Sequence, residues 1–339
     1  MNTQETYSVA RGNAALEGGN GRGEEMRDNT PLTPPSSPLP PRLGPRLARW
    51  WNRVGIWYLF LTPAILLLLI FFAYPLADSL MLSFYKWKGL GARKFVGLAN
   101  FEDLLDDRFF WGATWHTLVF ALVVTLGTVG IGYLLATVIS RRVFGSSVYR
   151  VGFYLPVMLS VVVVAALWVR IYEYNWGLLN TFLRAVGLDV LALPWLADVK
   201  YALAAVIVVP IWQYAGFPMI VTLAAIEGIP QDLHDAATID GVSEWQRTWS
   251  LIFPLVRPVV ASISILQIIF SLKVFDLVWV MTKGSPGNST AVLGTFLFRQ
   301  GFETQKYGYA SAVAVVMFLI VFTLTYLYQR LVKFDAVEF

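Results

Sequence analysis

From Val54 onward the chain alternates long uncharged runs with shorter polar ones. The uncharged runs are 54–77, 117–140, 151–169, 201–226, 258–282 and 307–329, each 19 to 26 residues long. At about 1.5 Å per residue, a helix of roughly 20 residues crosses the hydrocarbon core of a bilayer. The runs lack the two-residue alternation of a barrel strand, and hydrocarbon offers no partner to an unpaired backbone group, so helices are required. The pattern predicts an all-α, polytopic inner-membrane protein with six transmembrane helices in a domain covering 51–339. Only the fifth run contains charge, at Lys273 and Asp276.

Arginines set the expected orientation. Arg42, Arg46, Arg49 and Arg53 precede the first run, and Arg141, Arg142 and Arg150 crowd the short second connection, which places both segments and both termini in the cytoplasm. The outer segment 78–116 carries five basic residues of its own, offset by five acidic ones. Trp50, Trp51, Trp57, Trp111, Trp115, Trp168 and Trp176 fall near the ends of runs, where indole favours the interface. Residues 1–50, with the proline-rich stretch 33–41, have no periodic apolar face and read as a disordered cytoplasmic tail.

The connection 227–257 has its own internal order. Pro230 suits the first turn of a helix and Gly241 the left-handed residue that ends one, so 230–240 is expected to be a short helix. Ser243 and Gln246 have the spacing of a capping box that opens a second helix, which Pro254 and Pro258 limit or kink. Leu233, Ala236, Ala237 and Asp240 share one face of the short helix. The alanines leave that face free of bulk.

Composition narrows the chemistry. The chain has 339 residues, 57% hydrophobic and 14% charged, against about 25% charged in soluble domains. Its formal charge of +4 is too small for a nucleic-acid binder. With no cysteine and only His116 and His234, thiol chemistry is excluded and a multi-histidine metal site is not expected. The phosphate-loop pattern G-x-x-x-x-G-K-[ST] is absent, so this chain cannot bind ATP by that route.

The segment Asp235-Ala236-Ala237, Gly241 and then Phe253-Pro254 resembles the EAA signature of permease subunits of binding-protein-dependent ABC importers, with Asp for the usual Glu and Phe for the usual Leu. Further stretches are similar in content and order to sugar-type permeases. They are Gly97-Leu98-Ala99-Asn100-Phe101, Trp176-Gly177-Leu178-Leu179-Asn180, 211–217, Val274-Phe275-Asp276 and 281–287. The resemblance covers roughly residues 54–334. It implies a type I importer permease fold in a bacterial or archaeal cell membrane, and a non-enzymatic chain that binds no cofactor. ATP and Mg would be held by two copies of a partner ATPase, the other partners being a second homologous permease and an extracytoplasmic substrate-binding protein. It also implies that Asp235, Ala236, Ala237, Gly241, Phe253 and Pro254, in the coupling loop 227–257, couple the chain to the ATPase, and that the outer segments 78–116, 172–200 and 283–306 receive the binding protein.

Substrate-path candidates come from the spans. Lys273 and Asp276, three apart, can share a helix face. A charge near mid-membrane costs about 2.5–3.5 kcal/mol on insertion scales, so the two are either a polar wall of the pathway or a mutually satisfied packing pair. Trp212, Gln213, Tyr214, Phe275 and Trp279 offer aromatic faces and amide edges of the kind a sugar ring would meet. Gly127, Gly130 and Gly132 read as packing positions. The alternative to an ATP-driven permease is an ion- or proton-coupled carrier that uses Lys273 and Asp276.

Overall fold

A computed structural model describes residues 57–141 and 144–332. The expected tail 1–50, the arginines at 42–53 and Arg142 lie outside the described residues. The chain divides into two units, Met1–Pro63 and Ala64–Phe339. Of the first, only residues 57–63 are described; they begin helix α1, Trp57–Leu82, most of which belongs to the second. The architecture below is that of the second.

After α1 a two-stranded antiparallel hairpin, β1 (Tyr85–Lys86) and β2 (Lys94–Phe95), leads to α2 (Ala99–Asp106) and the long α3 (Arg108–Ile139). Then come α4 (Ser146–Met158), α5 (Val161–Ile171), α6 (Leu178–Ala185), α7 (Ala202–Tyr214) and α8 (Gly216–Glu227). The rest is α9 (Gln231–Ile239), α10 (Glu244–Leu272), α11 (Asp276–Met281), α12 (Leu293–Phe298) and α13 (Tyr307–Leu331). Among the described residues four helices, α1, α3, α10 and α13, are long and apolar enough to cross a membrane, and six spans result if each of two bent pairs is one.

The bent pairs revise the expectation of uninterrupted spans. The run 151–169 is not one helix: α4 and α5 meet at 97°. Leu159 and Ser160 are extended at the corner, just after Pro156, whose missing N–H weakens the last turn. Helices α7 and α8 meet at 40° around Ala215, with Pro210 and Pro218 on either side. The fifth run also differs. Its helix starts at Glu244, well before 258, and ends at Leu272, so Lys273, Val274 and Phe275 interrupt it before α11. Pro254 lies in the first α-helical turn after a π-helical segment, Arg247–Ile252, where its missing N–H leaves little unmade.

Helix α3 is the central post, packed on α7, α8 and α10. The packing is close at two of the expected glycines. A Cβ on Gly132 would come within 2.9 Å of the Ala215 carbonyl oxygen, and one on Gly127 within 2.6 Å of Ile211. Gly130 has open space at that position within this chain. Near the 230s the core is Tyr133, Ala136, Ile139, Met219, Leu223, Ile226, Ile252 and Val256, and a second core gathers α3, α5, α7 and α11 around Phe120, Val164 and Val206.

Two of the recognised sequence stretches are structural clasps. Asn100 is buried and donates to the carbonyls of Ser83 and Tyr85, folding the hairpin onto α2. Asn180, also buried, donates to Tyr174 and Leu193 carbonyls and accepts from the Trp195 indole, which closes the loop around α6.

Candidate functional site

The elbow between α8 and α10 is built from local chemistry. Helix α9 ends in a Schellman motif: the N–H groups of Gly241 and Val242 donate to the carbonyls of Thr238 and Ala237 at 3.2 and 3.1 Å. Gly241 takes φ +68°, the left-handed conformation in which a Cβ is unfavourable. Two residues on, Ser243 and Gln246 form the capping box that opens α10, each side chain bonding the other's backbone N–H. The turn therefore has little conformational freedom.

Further bonds tie the elbow to the spans. Arg247 donates to the His234 carbonyl at 3.0 Å and lies near Glu244, which also pairs with Arg141 just past the end of α3. The Tyr133 hydroxyl of α3 donates to the Thr248 carbonyl in the π-helical segment of α10. Trp249 and Phe253 pack on the same Tyr133 ring, at 5.5 and 5.4 Å between centroids. Phe253 thus joins the core beside α3, and Pro254 follows it in the first α-helical turn.

The rest of α9 faces outward. Ala237 is only 8% exposed and packs against the chain, whereas Ala236 is exposed, so the two alanines divide between inner and outer faces. Ile239 is 87% exposed and Trp245, just beyond the turn, 70%. Asp232, Asp235 and Asp240 are exposed along the same segment, and Asp235 accepts a bond from Gln231. Burial first, then the Arg247 cation, lowers the His234 pKa, partly opposed by Asp235. The result is a small, hydrogen-bonded knob that exposes both apolar and acidic side chains.

A cavity of about 800 Å³ lies inside the second unit, between α3, α4, α7, α8 and the α10–α11 break. Its polar lining is Tyr214, Gln267, Ser271, Lys273 and Asp276, set among Phe120, Phe217 and Phe270. Because the helix stops between them, Lys273 and Asp276 do not share a helix face. Both are exposed, and among the described residues neither forms an ion pair. Lys273 lies over the Phe270 ring at 5.9 Å. The mutually satisfied packing pair is therefore not what the chain builds.

The other candidates do not line this cavity. Gln213 is fully buried, and its Nε2 donates to the Leu159 carbonyl at 3.0 Å, satisfying the backbone at the α4–α5 corner. Trp212 packs edge-on to Trp168. Phe275 and Trp279 stack on each other, and both pack in tilted contacts against Phe298 of α12. Gln267 and Phe217 were missed, although a lone amide in an apolar span was a signal for the first.

Over residues 128–334 the chain matches the family of the binding-protein-dependent transport system inner membrane component. It is similar to a probable ABC transporter permease protein of Pyrococcus horikoshii, 36% identical over 80% of this chain and 94% of that protein. The trehalose/maltose transport system permease protein MalF of Thermococcus litoralis is 32% identical over 84% of this chain and 96% of that protein. Among solved structures, it is similar to a chain of a bacterial alginate ABC transporter in complex with an alginate pentasaccharide-bound periplasmic protein. That match has a TM-score of 0.75 and 26% identity, covering 86% of this chain and 98% of the other. With four to six apolar spans around a rigid elbow, the chain belongs to the family of inner-membrane components of binding-protein-dependent transport systems and is a permease subunit of an ABC importer.

Proposed function

We propose that this permease moves a sugar or sugar-like solute delivered by an extracytoplasmic binding protein, and that α9 is the coupling helix seated in a separate ATPase. Two ATPase copies would bind ATP and Mg, a second homologous permease would complete the pathway, and both termini would be cytoplasmic. The observation that carries the coupling role is the locked elbow. Its exposed knob is joined to α10 by the Schellman turn and capping box, and to α3 through Tyr133 and Arg141. A force on α9 then reaches two spans without being absorbed by a flexible loop.

The sugar assignment draws on relatives named for trehalose/maltose and alginate transport. A cavity that mixes Tyr214, Gln267, Lys273 and Asp276 with aromatic rings suits a solute with both hydroxyls and apolar ring faces. A carrier driven by ions through Lys273 and Asp276 would work without an ATPase, which family membership disfavours.

The test is uptake in proteoliposomes containing the assembled transporter. Gly241→Pro, which breaks the turn, and Asp235→Lys, which reverses a charge on the knob, should each abolish ATP-driven uptake while the chain still inserts. ATP-driven uptake at the unmodified rate in both variants would overturn the coupling role of α9.

A further inference from the structure

At the end of α3 opposite the elbow lies a recess of about 550 Å³, formed by the first turns of α3, the start of α7 and the 287–289 turn. Two cations line it, Arg108 and Lys200, and no carboxylate does. Among the described residues neither cationic side chain has an ion pair or a hydrogen bond: Arg108 rests over the Phe109 ring and Lys200 over the Tyr201 ring. The neighbouring carboxylates are otherwise engaged. Asp107 accepts from the Phe109 N–H and the Tyr309 hydroxyl, and Asp198 from the Lys200 backbone N–H.

A second recess near the same end differs in charge. There Lys86, Lys88 and Lys306 face Asp103, Asp106 and Asp107, so its charges compensate one another. The Arg108–Lys200 recess has no carboxylate in its own lining, so an anion that enters it meets two cations.

Depth identifies the source of that anion. Helix α3 has 32 residues, so it is about 48 Å long against about 30 Å of hydrocarbon, and its first turns stand at the headgroup level. Trp111 and Trp115 are exposed on those turns, as an interfacial belt requires. Phe109, Val119, Val199 and Leu203 also line it with apolar surface that acyl chains can meet. We propose that this recess is a receptor for the headgroup of an anionic phospholipid, with Arg108 and Lys200 on the phosphate.

The experiment is native mass spectrometry of the delipidated full transporter titrated with phosphatidylglycerol or with phosphatidylcholine of the same chains. The unmodified protein should retain phosphatidylglycerol preferentially, and Arg108→Gln combined with Lys200→Gln should weaken that retention roughly 25-fold. That corresponds to about 1 kcal/mol for each cation. Lys200→Arg, which keeps the charge, should retain the lipid. Equal retention of both lipids by the unmodified protein overturns the proposal without any variant. So does unchanged phosphatidylglycerol retention in the double variant. Displacement of the lipid by glycerol 3-phosphate at matched concentration would assign the recess to a soluble anion. Loss of binding-protein affinity in the double variant with lipid retention intact would assign it to protein docking, and both results overturn the proposal.

Discussion

His234 sits at the inner edge of the knob, where its carbonyl holds Arg247 and its ring is partly buried. Burial and the Arg247 charge favour the neutral imidazole, so its pKa in the folded protein is below the ordinary value of 6.5. The unfolded chain therefore binds this proton more readily than the folded one. The stability it contributes is complete above about pH 6.5 and is lost as pH falls through the folded pKa. Acidification should loosen the elbow, and His234→Gln should remove that part of the pH dependence. Hydrogen exchange at the α9 amides between pH 7.5 and 5 would test this; exchange protection with identical pH dependence in both proteins contradicts it. Gln213 has a different single-residue role. It is an amide spent on a broken backbone, where an orphaned carbonyl would cost about 1–3 kcal/mol.

Helix α10 runs unbroken from Glu244 at the elbow to Leu272 despite two prolines, as transmission of a force from the proposed coupling helix would require. The π-helical segment before Pro254 shifts the hydrogen-bond register, and the Thr248 carbonyl is taken by Tyr133 of α3. Tyr133→Phe deletes only that bond and keeps the ring against Trp249 and Phe253. It should destabilise the purified protein by about 1 kcal/mol and uncouple ATP hydrolysis from uptake in part. Thermal unfolding together with the ratio of solute moved to ATP hydrolysed checks it. An unchanged ratio would show that the α3–α10 bond is packing alone. A complementary constraint sits at Gly216, where an added Cβ would come within 2.2 Å of the Phe153 carbonyl oxygen, so α8 starts against the backbone of α4.

For the assembled permease, the cavity beside the α10–α11 break is where helices from both halves of the sequence converge. Lys273 and Asp276 sit there without pairing to each other, and charges at membrane depth are retained where water or a solute can reach them. Lys273→Gln and Asp276→Asn are each expected to raise the solute concentration for half-maximal uptake several-fold, with binding-protein affinity unchanged. The Trp212→Ala variant, outside the cavity, should leave that concentration near its original value. The assay is initial uptake rate against solute concentration in proteoliposomes, and wild-type half-saturation in both charge variants would exclude the cavity from the pathway.

Much of this was legible in the linear chain because it depends on short-range chemistry. Apolar runs of bilayer length, Gly241 four residues after Ala237, and Ser243 three before Gln246 specify spans, a helix stop and a capping box within one or two turns. The family signature lies in the same local code. What periodicity did not reveal was where spans break. The corner at Leu159 and Ser160 needs a carbonyl acceptor filled from Gln213, 54 positions away, and the interruption at Lys273 needs α12 beside it, where Gly294 approaches the Val274 carbonyl. Cavity membership failed for the same reason. Trp212, Gln213 and Tyr214 are neighbours in sequence but point to an aromatic partner, a buried backbone clamp and the cavity respectively. Hydropathy fixes which segments leave water, because that free energy is additive along the chain. Which side chain faces a pathway depends on helix rotation and on breaks stabilised by distant partners, and those exist only once the helices have packed.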